Sequence, residues 1–307
     1  MIDFSKKPLF LAPLAGFSDL PLRSVVKKFG CDVTVSEMIS ANALVYESSD
    51  KTLEMLKKSP NEDPYIVQIA GSDIENIKKA VQIINKFDGI YGLDLNCGCP
   101  VPKVVRQGAG SALLNDLDKL QSIISAIKSV SNKKSLSVKF RLGFNDKNEE
   151  KIAKACEEAG ADYIAVHGRT RAGGYSAKVD YEAIARVKAS VKIPVVANGD
   201  INAQNADEIL NLTKCDALMI GRASIGNPWI FHEIKTKTSV DKALKQEIIL
   251  AHFDAMIEHY GEHGLCIFRK HLHQYSKGID GATTFRNDVN FIKDVTAMRE
   301  RIREFFA

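Results

Sequence analysis

Residues 136–167 read LSVKFRLGFNDKNEEKIAKACEEAGADYIAVH, and the residue pattern changes twice within this stretch. The runs 136–141 and 163–167 are short and rich in apolar residues, as buried strands of a parallel sheet are. Residues 149–159 begin with acidic residues and end at Gly160, which is typical of an α-helix with a favourable dipole and a glycine C-cap. The stretch therefore predicts one strand–helix–strand unit.

The same alternation of short strands and longer helices recurs along most of the chain. Further helices are predicted at 74–84, 117–130 and 203–212, and the predicted strands are residues 9–12, 32–36, 65–69, 92–96, 136–141, 163–167, 194–198 and 217–220. Right-handed crossovers between eight parallel strands predict a closed (β/α)8 TIM barrel. The alternative is an open doubly wound sheet, but the first strand–helix turn lacks the G-x-G-x-x-G fingerprint, which favours the barrel.

Beyond about residue 235 the strand-like runs stop. Residues 242–260, 265–277 and 289–306 are each predicted as a helix, and glycines separate them. We expect a barrel catalytic domain over residues 1–235 and a helical domain over residues 236–307.

The predicted helical domain is rich in histidine. No H-E-x-x-H motif accompanies these residues, which favours solvated or core-edge histidines over metal ligands. The sequence therefore predicts no metal site. The histidines concerned are His252, His259, His263, His271 and His273.

Composition places the chain among soluble cytoplasmic proteins. The 307 residues carry a formal net charge of +4, which permits a nucleic-acid partner without arguing for one. Most of the 6 cysteines stand alone in apolar patterns, which is typical of buried free thiols in a reducing compartment. Pro8 and Pro13 interrupt the apolar run near the N-terminus, so we expect no signal peptide and no membrane span.

Polar residues stand near the ends of several predicted strands, where barrel enzymes carry their active sites. Lys139 and Arg141 share one face of their strand because side chains alternate. Two buried cations at the barrel mouth would require an anion. The alternative is that both side chains extend outward between the helices. Convergence with other polar residues at the same end favours a site, and these residues are Gln68, Asn96, His167 and Asn198.

The loops after the last two strands are rich in glycine. One contains Asn198, Gly199 and Asp200, and the other begins with Gly221 and Arg222. Glycine lets backbone N–H groups approach a phosphate, and barrels commonly bind phosphate at these two loops. Ordinary tight turns use the same residue types. Two such loops with an adjacent arginine favour phosphate.

A cysteine precedes a proline in the loop after the fourth strand. Cys99 there is a candidate nucleophile, metal ligand or proton donor, and the alternative, which is the usual outcome for a lone loop cysteine, is that it has no chemical role. Lys103 and Arg106 follow it and are candidates to hold phosphates.

Taken in order, these motifs resemble the tRNA-dihydrouridine synthase family, and most closely its bacterial B-type branch. The similar segments run nearly from end to end of the chain. They are residues 12–16 (APLAG), 35–38 (VSEM), 67–72 (VQIAGS), 96–100 (NCGCP), 108–114 (GAGSALL), 139–141 (KFR), 166–171 (VHGRTR), 197–201 (ANGDI), 219–223 (MIGRA) and 268–271 (FRKH).

This resemblance implies FMN as cofactor, NADPH or NADH as reductant, and uridine in tRNA as the substrate that becomes 5,6-dihydrouridine. It implies Cys99 as the general acid that protonates the uracil ring, with Asn96, Lys139 and Arg141 helping to seat the base. The family usually has Met where Leu14 and Cys97 stand. The implied FMN-binding residues are Pro13, Leu14, Ala15, Gln68, Lys139, His167, Asn198, Gly199, Asp200, Gly221 and Arg222.

The resemblance also implies a tRNA-binding surface on a protein that we expect to be a monomer. The helical domain would recognise tRNA, and contact would be mainly electrostatic. A solvated helix face is the alternative for each of these cations. The candidates are Lys103, Arg106, Arg169, Arg171, Arg269, Lys270 and Arg286.

Three other functions stay open at this point. The first is a flavin barrel that acts on a small molecule, such as a dihydroorotate or dihydropyrimidine dehydrogenase. The second is an RNA-binding protein that has lost its activity. The third is a phosphate-sugar isomerase or aldolase in which Lys139 acts as a base or forms a Schiff base.

Overall fold

A computed structural model describes residues 2–47 and 49–307, and it contains a closed parallel barrel. Strand β1 pairs with both β2 and β9, and β2 pairs with β4, so eight strands form a ring. The two-residue strand β3 pairs with β4 beside the ring. The predicted TIM barrel is confirmed. The strands are β1 Leu9–Leu11, β2 Val33–Val35, β3 Ile39–Ser40, β4 Tyr65–Ala70, β5 Gly92–Cys97, β6 Ser135–Arg141, β7 Tyr163–His167, β8 Val195–Asn198 and β9 Ala217–Ile220.

Strand side chains divide between two apolar layers because successive residues point to opposite faces. In β1, Phe10 belongs to a small core that fills the barrel. Its neighbours Leu9 and Leu11 belong to the larger core between the barrel and its helices. Burial on both faces explains why the strands read as continuous apolar runs.

Helices cover the outside of the barrel, and aspartate side chains begin several of them. Asp19, Asp73 and Asp180 each accept a hydrogen bond from a backbone N–H in the first turn. The bounds are α1 Leu20–Lys28, α2 Asp50–Glu54, α3 Ile74–Asn85, α4 Pro102–Arg106, α5 Leu117–Val130, α6 Glu149–Glu158, α7 Tyr181–Ser190, α8 Ala206–Thr213 and α9 Ile230–Thr236. Short 3-10 turns span Phe4–Lys6, Gly110–Asn115 and Arg222–Ser224, and a π-helical turn spans Ala43–Glu47.

Four further helices follow and share their own apolar core. They are α10 Lys242–Tyr260, α11 His263–Tyr275, α12 Ala282–Phe291 and α13 Val295–Phe306. Phe253, Phe268 and Phe285 are fully buried in this core. The boundary at residues 235 and 236, which stays a prediction, falls in the last turn of α9.

The predicted single helix over residues 289–306 is wrong, because two helices occupy this region. Ile292 leaves helical geometry with an extended backbone after α12. Asp294 then begins α13, and its side chain accepts a hydrogen bond from the N–H of Ala297. A capping aspartate inside an amphipathic pattern therefore marks a break that helical periodicity alone does not show.

The six cysteines are all free thiols, as the sequence predicted. Cys31, Cys97, Cys156 and Cys215 are buried, Cys99 is half-buried and Cys266 is exposed. Separately, none of the helices within residues 2–47 and 49–307 combines the length and apolar character needed to span a membrane.

Candidate active site

A cavity of about 920 Å³ opens at the carboxyl ends of the barrel strands. Lys139 and Arg222 both line it, together with Asn96, Cys99 and Arg141. The whole set predicted to bind the cofactor lines the same cavity, namely Pro13, Leu14, Ala15, Gln68, Lys139, His167, Asn198, Gly199, Asp200, Gly221 and Arg222. Residues far apart in the chain thus converge on one end of the barrel.

The strand register explains this convergence. Asn96 lies opposite Lys139, Arg141 lies opposite His167, and His167 lies opposite Asn198. Because the strands are parallel and in register at their ends, polar side chains from four neighbouring strands form a continuous row on the inner face. The row carries two cations and no carboxylate, so it favours an anionic ligand.

Lys139 is half-buried and makes a hydrogen bond from Nζ to Oδ1 of Asn198 over 3.0 Å. The amide of Asn198 is itself oriented, because its Nδ2 donates to the carbonyl of Met219 over 2.8 Å. Burial lowers the pKa of Lys139 to about 8, with Asp94 opposing that shift and Arg141 adding to it. A lysine held in this way keeps most of its charge at neutral pH and would bind an anion strongly.

His167 is a neutral hydrogen-bonding group rather than an acid or base at neutral pH. Burial is the main cause that lowers its pKa to about 2, and four nearby cations add to the shift. These cations are Lys139, Arg141, Arg169 and Arg222. The ring Nε2 lies 3.3 Å from Nη1 of Arg169.

Cys99 lies on the cavity wall in a fixed loop. Its N–H donates to Oδ1 of Asn96 over 2.9 Å, and its carbonyl accepts from the N–H and Oγ of Ser111 at 3.1 and 2.9 Å. Cys97 instead packs in the apolar layer between barrel and helices, where burial raises its pKa well above the usual range. Of the six cysteines, all in the described residues, Cys99 is the one that lines the cavity.

Asp200 holds two arginines together at the rim of the cavity. Its carboxylate forms ion pairs with Arg169, which is buried, and with Arg222, which is exposed. The hydrogen bond from Arg169 is the main cause that lowers the pKa of Asp200. Arg169 also donates to the carbonyl of Ala177. The carboxylate thus orients the guanidinium of Arg222 beside the predicted phosphate loops.

The two predicted phosphate loops offer bare backbone to the cavity. Gly199 has φ +130°, and a Cβ there would lie 3.0 Å from Val179 and 3.1 Å from His167. Glycine is therefore needed at this turn. A Cβ at Gly221 would meet Ala12 at 3.7 Å and Leu14 at 3.9 Å, which is ordinary contact. Gly221 leads directly into the 3-10 turn that begins with Arg222.

The cations predicted to contact RNA lie outside the cavity lining. Lys103 and Arg106 are exposed on α4 at the rim. The others have partners within the chain: Arg169 pairs with Asp200, Arg171 stacks on Phe144, Arg269 donates to the carbonyl of Ile292, Lys270 lies over Phe17, and Arg286 donates to Ser276. Their contact with RNA stays a prediction.

Sequence reasoning missed Tyr175, which lies between the two arginines of the cavity. The guanidinium carbons of Arg141 and Arg222 lie 5.2 and 4.9 Å from its ring centroid. The side chain is 57% exposed, so the ring is available for stacking. An aromatic residue just after Gly173 and Gly174, in the loop that follows a polar strand end, is the signal that could have identified it.

The interpretation of the histidines as solvated or core-edge residues is wrong for two of them. His252 and His271 are fully buried, and their Nε2 atoms have no hydrogen-bond partner among the described residues. Asp19 lies beside them. One of its carboxylate oxygens and one ring nitrogen of each histidine all lie within 4.8 Å of one another. Nδ1 of His252 lies 2.9 Å from the hydroxyl of Tyr275. The cluster links the barrel to α10 and α11, and its members are too distant in sequence for any spacing motif to show it.

We expect the free energy of unfolding to fall as the pH drops below about 6.5. Burial lowers the pKa of His252 to about 3 and that of His271 well below its usual 6.5, so below pH 6.5 the unfolded chain binds protons that the folded protein does not. Burial raises the pKa of Asp19 to about 6, which opposes the effect for one group. Urea unfolding at pH 7.5 and pH 5 measures this loss, of which His252 accounts for a share on the order of 2 kcal/mol.

His252→Gln should flatten this pH dependence, whereas His273→Gln, on the partly exposed side of α11, should not. A slope that is the same in His252→Gln and in the original chain would contradict the assignment.

A closed parallel barrel with a cationic cavity at its strand ends places the protein in the (β/α)8-barrel class. Solved structures agree on the fold. The old yellow enzyme homologue from Zymomonas mobilis (NCR) aligns with a TM-score of 0.57 and 13% identity over 77% of this chain and 90% of its own. The old yellow enzyme from Trypanosoma cruzi gives 0.58 and 10% over 76% and 89%.

The chain belongs to the dihydrouridine synthase family. A family model described as Dihydrouridine synthase (Dus) matches residues 10–307. A probable tRNA-dihydrouridine synthase of Helicobacter pylori J99 is 52% identical over 99% of this chain and 94% of its own length. The tRNA-dihydrouridine synthase B of Pseudomonas aeruginosa is 38% identical over 97% and 92%. The family resemblance predicted from the motifs is confirmed.

Proposed function

We propose that this protein reduces uridine to 5,6-dihydrouridine in tRNA, with FMN as cofactor, NADPH or NADH as hydride donor, and Cys99 as general acid. The observation that carries this proposal is the convergence of Cys99, Lys139 and Arg222 on one cavity in a chain of this family. A thiol, a half-buried lysine and an arginine beside glycine loops match an acid, an anion-stabilising group and a phosphate site.

The cavity residues fit a flavin mononucleotide. The volume of the cavity lies near the upper end of the range for small-molecule sites. Pro13, Leu14 and Ala15 provide an apolar wall, and Gly221 and Arg222 provide bare backbone and a cation for the phosphate. A bound flavin supplies the hydride transfer that protein side chains do not perform.

The side chains of this protein would control charge and protons around that transfer. Lys139 stabilises negative charge that develops in the buried site. The neutral ring of His167 donates or accepts one hydrogen bond without titrating. Adding hydride to C6 of uracil leaves charge on the C4 carbonyl and C5, and the Cys99 thiol delivers a proton to C5. Asn96 and Arg141 orient the base in front of Cys99.

A uridine within folded tRNA must leave its stack to reach this cavity. The exposed Lys103 and Arg106 beside the opening are suited to hold the flanking phosphates. The helical domain supplies Arg269, Lys270 and Arg286 as further candidate cations. Arg169 has a different role in this proposal, since its guanidinium is buried against Asp200 and positions that carboxylate.

The test uses purified full-length protein and tRNA isolated from cells that lack dihydrouridine. We expect a yellow protein that releases FMN on denaturation, oxidises NADPH or NADH, and produces dihydrouridine detected by nucleoside mass spectrometry. Reduction of a small pyrimidine or enone but not of tRNA would contradict the proposed substrate. A colourless protein that does not bind added FMN would contradict the proposed cofactor.

A further inference from the structure

A buried chain of side-chain hydrogen bonds runs from the centre of the barrel to the loop that carries Cys99. Its origin is Asp94 on β5, which is 3% exposed and does not line the cavity. One carboxylate oxygen accepts from Oγ of Ser137 over 2.6 Å, and the other accepts from Nε2 of Gln68 over 2.7 Å. The proposed reaction assigns no role to this carboxylate.

The series of hydrogen bonds continues through the side-chain amides of Gln68 and Asn96. Oε1 of Gln68 accepts from Nδ2 of Asn96 over 2.8 Å. Oδ1 of Asn96 then accepts from the backbone N–H groups of Gly98 and Cys99, over 3.1 and 2.9 Å. Each amide thus uses its nitrogen toward Asp94 and its oxygen toward the loop.

The two ends of this chain determine its direction. A carboxylate only accepts hydrogen bonds, and backbone N–H groups only donate them. With an acceptor at Asp94 and donors at Gly98 and Cys99, both amides between them can satisfy every contact in one orientation only. If either amide turned over, two donors or two acceptors would face each other in a buried site, at a cost comparable to a lost hydrogen bond.

We propose that Asp94 is a positioning residue that holds the Cys99 loop in place through Gln68 and Asn96. This inference rests on the proposed role of Cys99 as general acid. A thiol must be held within hydrogen-bond reach of the atom it protonates, and a small displacement of the loop would lower the rate of that step. Asp94 touches neither the cavity nor the loop itself, so its effect on the loop passes through the two amides, whereas its charge separately favours the protonated form of Lys139.

The experiment compares Asp94→Leu with Asp94→Asn. Leucine removes the acceptor for Gln68. Asparagine removes the charge but can still accept from Gln68 with its oxygen, while its nitrogen donates to the hydroxyl of Ser137. Ser137→Ala is the matched control. It removes the other hydrogen-bond partner of Asp94 and leaves the hydrogen bonds from Asp94 through Gln68 and Asn96 to Cys99 intact.

For Asp94→Leu we expect dihydrouridine formation from the reduced enzyme to be about tenfold or more slower than in Asp94→Asn in single-turnover assays, with equal rates of flavin reduction by NADPH, because both variants remove the charge that favours protonated Lys139. Ser137→Ala should keep both rates, and Asp94→Asn should keep the rate of dihydrouridine formation from the reduced enzyme. In a Cys99→Ala background, Asp94→Leu should cause no further loss of dihydrouridine formation, because the effects of substituting residues that act through one group do not add. Two results would overturn the proposal. One is an equal loss of dihydrouridine formation in the two Asp94 variants, and the other is a loss from Asp94→Leu that is as large in the Cys99→Ala background as in the original chain.

A second measurement does not depend on tRNA or on activity. Exchange of the Gly98 and Cys99 backbone amides with deuterium should be about tenfold faster in Asp94→Leu than in Asp94→Asn, because their acceptor is no longer held. If Asp94→Leu fails to fold, Asp94→Ala also removes the acceptor and provides the same comparison. Should the original chain form no dihydrouridine while this exchange difference is present, the proposed function fails and the positioning role stands. Equal exchange in both variants overturns the positioning role by itself.

Discussion

Replacing Cys99 with alanine is expected to lower dihydrouridine formation by about 10²–10⁴-fold, which is the usual contribution of a general acid. The same variant should still bind FMN and accept hydride from NADPH, because Lys139, His167 and the glycine loops line other parts of the cavity. The expected result is therefore a separation of the two halves of the reaction. Stopped-flow loss of flavin absorbance measures the first half, and mass spectrometry of dihydrouridine measures the second.

Cys97→Ala is the matched control for this prediction. Cys97 lies two residues away in the same segment, but its thiol is buried in the layer between barrel and helices. Its replacement should leave dihydrouridine formation near that of the original chain and cost only some stability from the smaller side chain. A normal product yield from Cys99→Ala would show that another group, or water, delivers the proton.

Replacing Lys139 with methionine is expected to slow flavin reduction by about 10²–10³-fold, the range found when one preorganised charge-stabilising donor is removed from an active site. Methionine keeps most of the volume of the lysine stem, so the barrel interior should stay packed. The free energy of unfolding should not fall, because burial of the lysine charge is itself unfavourable, as its lowered pKa shows. The rate of flavin bleaching with NADPH under anaerobic conditions measures the effect.

Lys103→Met is the control for this second prediction, because Lys103 is exposed at the rim and outside the cavity lining. It should leave flavin reduction unchanged and weaken only the apparent affinity for tRNA. A Lys139→Met protein that retains FMN and reduces it at the original rate would remove the electrostatic role assigned to this residue.

Most of the barrel and most of the cavity lining were predictable from local pattern. Strands such as 163–167 and 217–220 were predicted at the bounds that the structure has, because residues buried on both faces must be apolar. The grouping of Gln68, Asn96, Lys139 and His167 also followed from local information. Parallel strands all end at one side of a barrel, so polar residues at strand ends must meet there.

Other features could not be predicted because they depend on contacts between distant segments. Arg169 was expected on the RNA-facing rim, yet Asp200 and the carbonyl of Ala177 hold its guanidinium below the surface. Asp19 lies 233 and 252 positions before His252 and His271, and the three meet only when the helical domain packs on the barrel. Strand period and helix period carry no information about such pairs.

The amino-acid sequence by itself determined the eight strands and the end of the barrel at which the polar residues gather. These properties follow from the apolar runs that strands buried on both faces require and from the common direction of parallel strands. The tertiary structure alone decided which partner each polar group has: Asp94 with Gln68, Asp200 with both arginines, and Tyr175 between Arg141 and Arg222. Partners of this kind are chosen by packing across elements, where a difference of a few ångströms determines whether a hydrogen bond forms.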